Sequence, residues 1–244
     1  MSKYALLALD MDGTLLDDDH VVSQETANAI AEAQQAGVTV MLSTGRAIQN
    51  ALPYAEELGL NGPLIVVNGS EIWRNPQELY MRYLLDRDAV QQMLNLSEKY
   101  DTWFWAYSTK ALYNREKWSG EVDQEDWLKF GYYNEDVDVL SSILAELQAI
   151  GGLELTNSAL TNIEINPAGI SKASGIRTVC ELLGIEMSQV VAVGDSLNDL
   201  AVIQQAGLGV AMGNAQDAVK QAADVVVASN NEHGVAEVIR RFIL

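Results

Sequence analysis

The chain has 244 residues, enough for one large domain or for a domain that carries a smaller insertion, and a formal net charge of −19. Such a charge repels the backbone of nucleic acids and anionic membranes, so we exclude both as partners. The charge still permits a small anionic substrate, provided that cationic groups, backbone amides and a divalent cation are concentrated in one place. With no apolar run long enough for a membrane helix, we expect a soluble, cytoplasmic protein, monomeric or homodimeric.

The first third of the chain alternates apolar, β-branched runs with helical patterns. Buried strands are predicted at residues 4–9, 38–42 and 64–67, one helix between Ser23 and Gly37, and a second helix after Arg46. Strands of a parallel sheet joined by crossover helices produce this alternation. The pattern therefore predicts an α/β fold with a doubly wound, Rossmann-like parallel sheet.

The alternation breaks between residues 80 and 167. A helical pattern around residues 90–97 precedes an alternating segment, residues 102–107, which predicts an antiparallel strand with Trp103, Trp105 and Tyr107 on one face. A second helical pattern and two short strands, at residues 153–156 and 161–165, complete a small α+β unit. We predict a core formed by residues 1–79 and 168–244 and an inserted domain formed by residues 80–167.

After the insertion the first rhythm resumes. Helices are predicted at residues 173–183, 199–206 and 215–221, and strands at residues 190–193, 208–211 and 225–228. The single cysteine, Cys180, lies within the first of these helices, where its spacing favours a buried core thiol over a nucleophile.

Acidic residues follow two of the predicted parallel strands. Asp10 and Asp12 come after the first strand, and Asp195 comes after the strand at 190–193. Ligands of open parallel sheets bind beyond the carboxyl ends of the strands, so these carboxylates are expected to converge. Three acids at one place repel each other without a cation, and oxygen ligands of this kind suit Mg²⁺. We predict a magnesium site there.

An anion requires different partners. Thr44 supplies a hydroxyl group and, with Gly45, backbone amides at a helix N-terminus, while Lys172 offers a point charge at the start of another helix. Arg46 could contact a phosphate group or pair with an acid, and Asn68-Gly69 could be a simple turn or a functional segment. Both alternatives remain open from the sequence.

The chain resembles a haloacid dehalogenase (HAD) superfamily hydrolase of the Cof type, subclass IIB, which carries a C2-type α+β cap. The segments that carry the resemblance occur in the family order, with the inserted domain between the second and third: residues 10–15 (DMDGTL), 43–46 (STGR), 169–173 (GISKA), 194–199 (GDSLND) and 212–215 (MGNA). The resemblance covers the whole chain. It implies a phosphatase that acts on a sugar phosphate or a similar small phosphomonoester, with specificity determined by the cap.

The resemblance also implies a role for each matching residue. Asp10 would attack phosphorus and form an aspartyl phosphate, while Asp12 would protonate the leaving group and then activate water. The remaining roles are a Mg²⁺ site formed by Asp10, the carbonyl group of Asp12, Asp195 and Asp199, and phosphate binding by Thr44, Gly45, Arg46, Lys172 and Asn198. The alternatives to hydrolysis are phosphoryl transfer to a second hydroxyl group, as in a mutase, and a non-catalytic module that binds a phosphorylated ligand.

Two groups of residues in the inserted domain have an open role. The aromatic face of Trp103, Trp105 and Tyr107 could pack in the domain core or line a substrate pocket. Asn162 and Glu164 alternate with apolar residues and could bind hydroxyl groups of the leaving group. His20 and His233 lie outside every motif, so the sequence gives them no role.

Overall fold

The computed structural model describes residues 3–118 and 121–244, and within them the chain forms thirteen strands and eight α-helices. The strands are β1 (Leu6–Leu9), β2 (Thr39–Leu42), β3 (Leu64–Val66), β4 (Glu71–Asn75), β5 (Glu78–Arg82), β6 (Trp103–Ser108), β7 (Leu112–Asn114), β8 (Trp127–Tyr133), β9 (Leu153–Thr156), β10 (Asn162–Pro167), β11 (Val190–Gly194), β12 (Leu208–Ala211) and β13 (Val225–Val226). The helices are α1 (Gln24–Gln35), α2 (Ile48–Glu57), α3 (Arg87–Lys99), α4 (Val137–Ile150), α5 (Lys172–Leu183), α6 (Leu197–Gln205), α7 (Asp217–Ala222) and α8 (Gly234–Val238). No helix in the described ranges combines the length and the apolar character that a bilayer crossing requires.

The chain divides into two compact units, one formed by the residues up to Met81 together with Lys172–Leu244, the other by Arg82–Ser171. The first unit contains a five-stranded sheet in the order β13-β12-β11-β1-β2, and all of its strand pairs are parallel. The predicted α/β class with a parallel core sheet is therefore confirmed. Cys180 is buried on α5, as its spacing indicates.

The register of the parallel sheet places the functional loops at one edge. β1 is buried along its whole length, as expected for a central strand covered on both faces. Its last residue, Leu9, pairs with Leu42 on one side and with Val193 on the other. The residues that follow these three strands therefore leave the sheet side by side, and Asp10 is the first of them on the central strand.

The third predicted parallel strand differs from the expectation. β3 pairs antiparallel with β4, and a three-stranded sheet β3-β4-β5 results. Its link to the end of β2 is a single parallel bridge between Ser43 and Ile65, and the amide of Thr44 donates to the carbonyl of Ile65 at 2.9 Å. The chain reverses at Val67 and Asn68, whose φ angles of 52° and 55° lie in the left-handed region. This turn sends β4 back along β3, so the predicted parallel strand becomes part of an antiparallel sheet.

The second unit is built on an antiparallel sheet in the order β7-β6-β8-β10-β9. Apolar residues of one sheet face form a common core with α3 and α4. The sequence patterns indicated α3, α4, β6, β9 and β10 but missed β7 and β8. In β8, Lys129 and Gly131 interrupt the apolar run that marks a buried strand, although both residues are buried.

The aromatic residues of β6 divide between the two sheet faces. Phe104 and Ala106 enter the core beneath α3 and α4, whereas Trp103, Trp105 and Tyr107 lie half-buried on the opposite face. The alternative that these three residues pack in the domain core is therefore wrong. The same register assigns Glu164, which lies opposite Gly131, to the face that carries Trp105.

A charged pair and an aromatic ring share this second face. Lys129 and Glu164 are 2% and 5% exposed and form an ion pair of 2.9 Å. The Trp105 indole lies across Gly131 so closely that a Cβ atom there would be 2.2 Å from ring atom Cζ2. Glycine at position 131 therefore determines where the indole can lie.

We expect Gly131→Ala to lower the free energy of unfolding by about 1–3 kcal/mol, because the added methyl group overlaps the Trp105 ring. The matched control is the same substitution in a Trp105→Ala background, where the ring is absent. Chemical denaturation of the two single variants and the double variant gives the coupling energy. Additive effects of the two substitutions would contradict the inferred contact.

Candidate active site

Three acidic side chains meet at the end of the parallel sheet. Asp10 follows β1, Asp195 follows β11, and Asp199 lies in the first turn of α6. Each offers a carboxylate oxygen, and the three oxygens lie within 4.8 Å of one another. The convergence of Asp10 with Asp195 is the arrangement that the strand-end argument predicts.

Lys172 joins two of these acids. Its Nζ atom lies 2.7 Å from Oδ1 of Asp10 and 2.7 Å from Oδ1 of Asp199, and its side chain is 1% exposed. As the first residue of α5, the lysine has little freedom to move away, because the helix fixes its backbone. One ammonium group therefore pairs with two carboxylates, and the third acid of the cluster, Asp195, has no ion pair with it.

Close backbone packing holds Asp195 against the loop after β1. Thr14 donates from Oγ1 to Oδ1 of Asp195 at 2.9 Å. A Cβ atom at Gly13, whose φ of 77° is also left-handed, would lie 2.7 Å from Oδ2 of the same carboxylate. The glycine thus permits both the left-handed turn and the close approach of the acid.

Asp199 is fixed mainly by its position at a helix N-terminus. Ser196 is the N-cap of α6, and Oδ2 of Asp199 accepts hydrogen bonds from the backbone amides of Asp195 and Ser196, each at 3.2 Å. Its Oδ1 atom accepts from Lys172. Both oxygens of Asp199 therefore already have protein donors, which suits a residue that orients Lys172. Asn198 is buried beside them and accepts from Ser196 Oγ at 3.0 Å.

Burial makes the ionised acids costly. Desolvation raises the pKa of Asp10 well above its usual range, and the charges of Asp199 and Asp195 add to this effect while Lys172 opposes it. Burial, with a further contribution from Asp199, raises the pKa of Asp195 to about 7. Although burial alone would lower it, the pKa of Lys172 is raised by Asp10 and Asp199. The lysine is therefore charged, and the acids lack sufficient positive charge.

Asp12 lies outside this cluster. Its side chain is 48% exposed, and both of its oxygens accept from Arg46, Oδ2 from Nε at 2.8 Å and Oδ1 from Nη2 at 2.5 Å. Of the two sequence alternatives for Arg46, the structure shows the pair with an acid. Nδ1 of His20 lies 3.6 Å from Oδ1 of Asp12, a proximity that sequence reasoning missed because His20 belongs to no motif.

Backbone hydrogen bonds from the turn after β3 support the loop that contains Thr44. The amide of Asn68 donates to the carbonyl of Thr44, and the amide of Val67 donates to the carbonyl of Arg46, both at 2.9 Å. Thr44 is 1% exposed, and its Oγ1 atom accepts from the amide of Arg46 at 3.1 Å. Asn68-Gly69 therefore forms a turn, and this turn supports the segment that carries Thr44 and Gly45.

The donor set fits a hard divalent cation. The cluster consists of carboxylate oxygens, the ligand type that Mg²⁺ prefers, and their burial together with excess negative charge is the condition that a cation would relieve. Asp10 and Asp195 are the acids through which a cation would be held most directly, since both oxygens of Asp199 accept from protein donors. The structure thus supports a divalent metal site at this end of the sheet.

A family model described as haloacid dehalogenase-like hydrolase matches residues 7–140 and 114–239 of the chain. The chain belongs to this family. A curated relative, the 5-amino-6-(5-phospho-D-ribitylamino)uracil phosphatase YcsE of Bacillus subtilis, is 47% identical over 243 residues, which covers 98% of this chain and 96% of the relative. The pyridoxal phosphate phosphatase YbhA of Escherichia coli is 28% identical and covers 96% of this chain and 97% of the relative.

A solved structure of a haloacid dehalogenase-like hydrolase from B. subtilis shares the fold, with a TM-score of 0.88 and 28% identity over 97% of this chain and 99% of that one. The resemblance inferred from the motifs is therefore confirmed, as is the assignment to the phosphomonoester hydrolases of this superfamily. YcsE and YbhA act on small phosphorylated metabolites, as their names state.

We expect the metal-free protein to lose stability as the pH rises from about 4 to about 7. The carboxyl group of Asp195 ionises near 3.8 in the unfolded chain but near 7 in the folded protein, so the folded state binds more protons in this window. The change is measured as the unfolding temperature in EDTA between pH 4.5 and 8.

The control for this experiment is Asp195→Asn, which removes one of the two acids with a raised pKa and should weaken the pH dependence, while Asp10 leaves a residual part of it. Added Mg²⁺ should raise the unfolding temperature of the wild type more at pH 8 than at pH 5, because the ionised acids are the ligands. A Mg²⁺ effect that is the same at both pH values, or that persists in Asp195→Asn, would remove Asp195 from the metal site.

Proposed function

We propose that the protein is a Mg²⁺-dependent phosphatase that transfers the phosphoryl group of a small metabolite to Asp10 and then to water. The cluster of buried Asp10 and Asp199 with the partly buried Asp195, in which Lys172 is bound to the two buried acids, is the observation that carries the proposal. A nucleophilic carboxylate, a cation site and a fixed ammonium group are the components that this chemistry requires.

The chain's own residues would divide the work as follows. Lys172 holds one oxygen of Asp10 at 2.7 Å and thereby orients the carboxylate. The same ammonium group, the Thr44 hydroxyl and the amides around Gly45 would bind the equatorial phosphate oxygens. A Mg²⁺ ion held by Asp10, Asp195 and the carbonyl of Asp12 would screen the repulsion between nucleophile and phosphate. Formation of an aspartyl phosphate divides one difficult displacement into two easier ones.

Asp12 is proposed as the acid and base. Its carboxyl group would give a proton to the leaving alcohol and later take one from the attacking water. The structure is compatible with this separate role, because Asp12 is exposed and its carboxylate lies apart from the buried acid cluster. Arg46, which the sequence also allows as a phosphate ligand, is engaged by Asp12 in this state of the protein.

The first substrate to test is 5-amino-6-(5-phospho-D-ribitylamino)uracil, the compound named for the relative with 47% identity. This choice rests on similarity over almost the whole of both chains. The name of YbhA, a pyridoxal phosphate phosphatase, shows that members of this family differ in substrate, so the screen should include pyridoxal phosphate and sugar phosphates. Rates are compared as kcat/KM.

Asp10→Asn should lower turnover by at least about 10³-fold while the unfolding temperature is maintained, since the change removes the nucleophile and one buried charge but conserves shape. Beryllium fluoride with Mg²⁺ should form a stable complex with the wild type, detected by ¹⁹F NMR, and none with Asp10→Asn. Release of phosphate by Asp10→Asn at the wild-type rate would exclude the covalent route. Transfer of label from substrate to an added alcohol in preference to water would indicate a phosphotransferase.

Residues on the second face of the cap sheet should discriminate among substrates without taking part in the chemistry. We expect Trp105→Ala and Glu164→Gln to change the ranking of kcat/KM among phosphate esters but to leave acetyl phosphate hydrolysis within about tenfold, or roughly 1.4 kcal/mol. Glutamine is preferred at position 164 because complete removal of the side chain would leave the buried Lys129 without this partner.

The control for these variants is Phe104→Leu, a change in the core of the same strand. It should lower stability but leave the ranking of substrates unchanged. If Trp105→Ala lowers the rates for all esters by one common factor, the indole supports folding and does not select substrates.

A further inference from the structure

The Asp12–Arg46 pair is held in place by a third side chain, Tyr54 of α2. The Arg46 guanidinium lies over the Tyr54 ring, 5.3 Å from its centroid. This guanidinium uses Nε and Nη2 to bind both oxygens of Asp12, which fixes the plane of the carboxylate as well as its position. An arginine that stacks on one face and binds through its edge has little rotational freedom left.

Tyr54 also contacts the residue on the other side of the same carboxylate, His20. Its hydroxyl group donates to the carbonyl of His20 at 3.1 Å, and the His20 imidazole lies 3.6 Å from Asp12 Oδ1. His20 has a left-handed φ of 59°, so its backbone is held in a conformation that few residues adopt without support. Tyr54 thus contacts both groups that flank Asp12 while making no direct hydrogen bond to it.

We propose that Tyr54 is a positioning residue for Asp12, acting through Arg46 and through the loop of His20. The proposal rests on the proposed acid and base role of Asp12. Without the aromatic ring, the guanidinium has no surface against which to stack, and the Asp12 carboxylate samples more orientations. Proton transfer in the transition state requires the donor within hydrogen-bond reach of the leaving oxygen, so this freedom slows any step that uses Asp12.

The leaving group separates this role from a structural one. An alkyl phosphate releases a strongly basic alkoxide and needs a proton from Asp12, whereas p-nitrophenyl phosphate releases a weakly basic phenolate and does not. The ratio kcat/KM covers the reaction only up to the first irreversible step, the formation of the aspartyl phosphate with departure of the alcohol. A misplaced Asp12 therefore lowers kcat/KM for the alkyl ester alone, and lowers kcat for both esters because Asp12 also activates water.

The test compares four variants of the full chain on the best alkyl phosphate of the screen and on p-nitrophenyl phosphate. Tyr54→Leu removes the ring, Tyr54→Phe retains it, and Asp12→Asn defines the loss of the acid. The matched control is Tyr80→Leu, because the Tyr80 ring also lies under an arginine, Arg74 at 5.1 Å, but that arginine pairs with Glu78. Unfolding temperatures are measured for all of them.

We expect Tyr54→Leu to lower kcat/KM about tenfold for the alkyl ester and less than about twofold for p-nitrophenyl phosphate, a fraction of the full contribution of a general acid. Tyr54→Phe should restore most of the alkyl ester rate, and Tyr80→Leu should behave as the wild type. An equal loss of kcat/KM for both esters would show a structural role. Unchanged kcat/KM for the alkyl ester would show that Tyr54 does not position Asp12. Either result overturns the inference.

The Asp12→Asn variant distinguishes failure of the inference from failure of the proposed function. If Asp12→Asn affects the two esters differently and Tyr54→Leu does not, only the role of Tyr54 is wrong. If Asp12→Asn lowers kcat/KM equally for both esters, the acid role of Asp12 fails. If the wild type hydrolyses neither ester, the phosphatase proposal fails. In both cases the role of Tyr54 fails as well.

Discussion

The convergence of three carboxylates beside one buried lysine, two of them buried with it, is the constraint on which the first unit depends. Burying several acids together is unfavourable, so each side chain would turn toward solvent if the surrounding backbone did not fix its position. The parallel register of β1 and β11 brings Asp10 and Asp195 to the same edge, and the N-terminal turn of α6 holds Asp199 through two amide hydrogen bonds. The strand register and the helix thus hold the acids together against their mutual repulsion. A bound cation would stabilise this arrangement.

The same constraint explains why Lys172 stands at the start of a helix. A cation at a helix N-terminus is normally unfavourable, because it faces the positive end of the helix dipole. Here two carboxylates at 2.7 Å outweigh that cost, and the raised pKa of Lys172 reflects their effect. From the sequence, Lys172 was expected to offer its charge to a phosphate group, whereas its two ion pairs with acids were not predicted.

Sequence reasoning succeeded where function follows from local strand geometry. Asp10, Asp12 and Asp195 were predicted to converge because they follow buried strands, and the parallel sheet confirms this for Asp10 and Asp195. The prediction is wrong for the carboxylate of Asp12, which is bound by Arg46 outside the cluster. Sequence reasoning failed where a contact depends on the direction of a side chain that is far from its partner in sequence. Arg46 and Asp12 lie 34 positions apart, and no periodicity reveals that a guanidinium will turn toward the carboxylate instead of toward a phosphate site.

The second unit shows the same limit in a different form. Strand β8 was missed because Lys129 and Gly131 look like loop residues, yet each has a partner that a single sequence does not display. Lys129 is compensated by Glu164 from β10, and Gly131 is covered by the indole of Trp105 from β6. Residues that break a local pattern are thus explained by neighbours on adjacent strands.

The two faces of the sheet in the second unit differ in which substitutions they tolerate. Phe104 and Ala106 must remain apolar to fill the core, while residues of the opposite face can change without emptying it. A buried ion pair contributes little to stability compared with apolar residues of similar volume, so folding alone does not require the Lys129–Glu164 pair on this face. Relatives that match almost the whole chain but are named for different phosphate esters fit such a division. On the proposed function, the chemistry would depend on carboxylates that the parallel sheet fixes, and selectivity would depend on a sheet face whose residues can vary at small cost to folding.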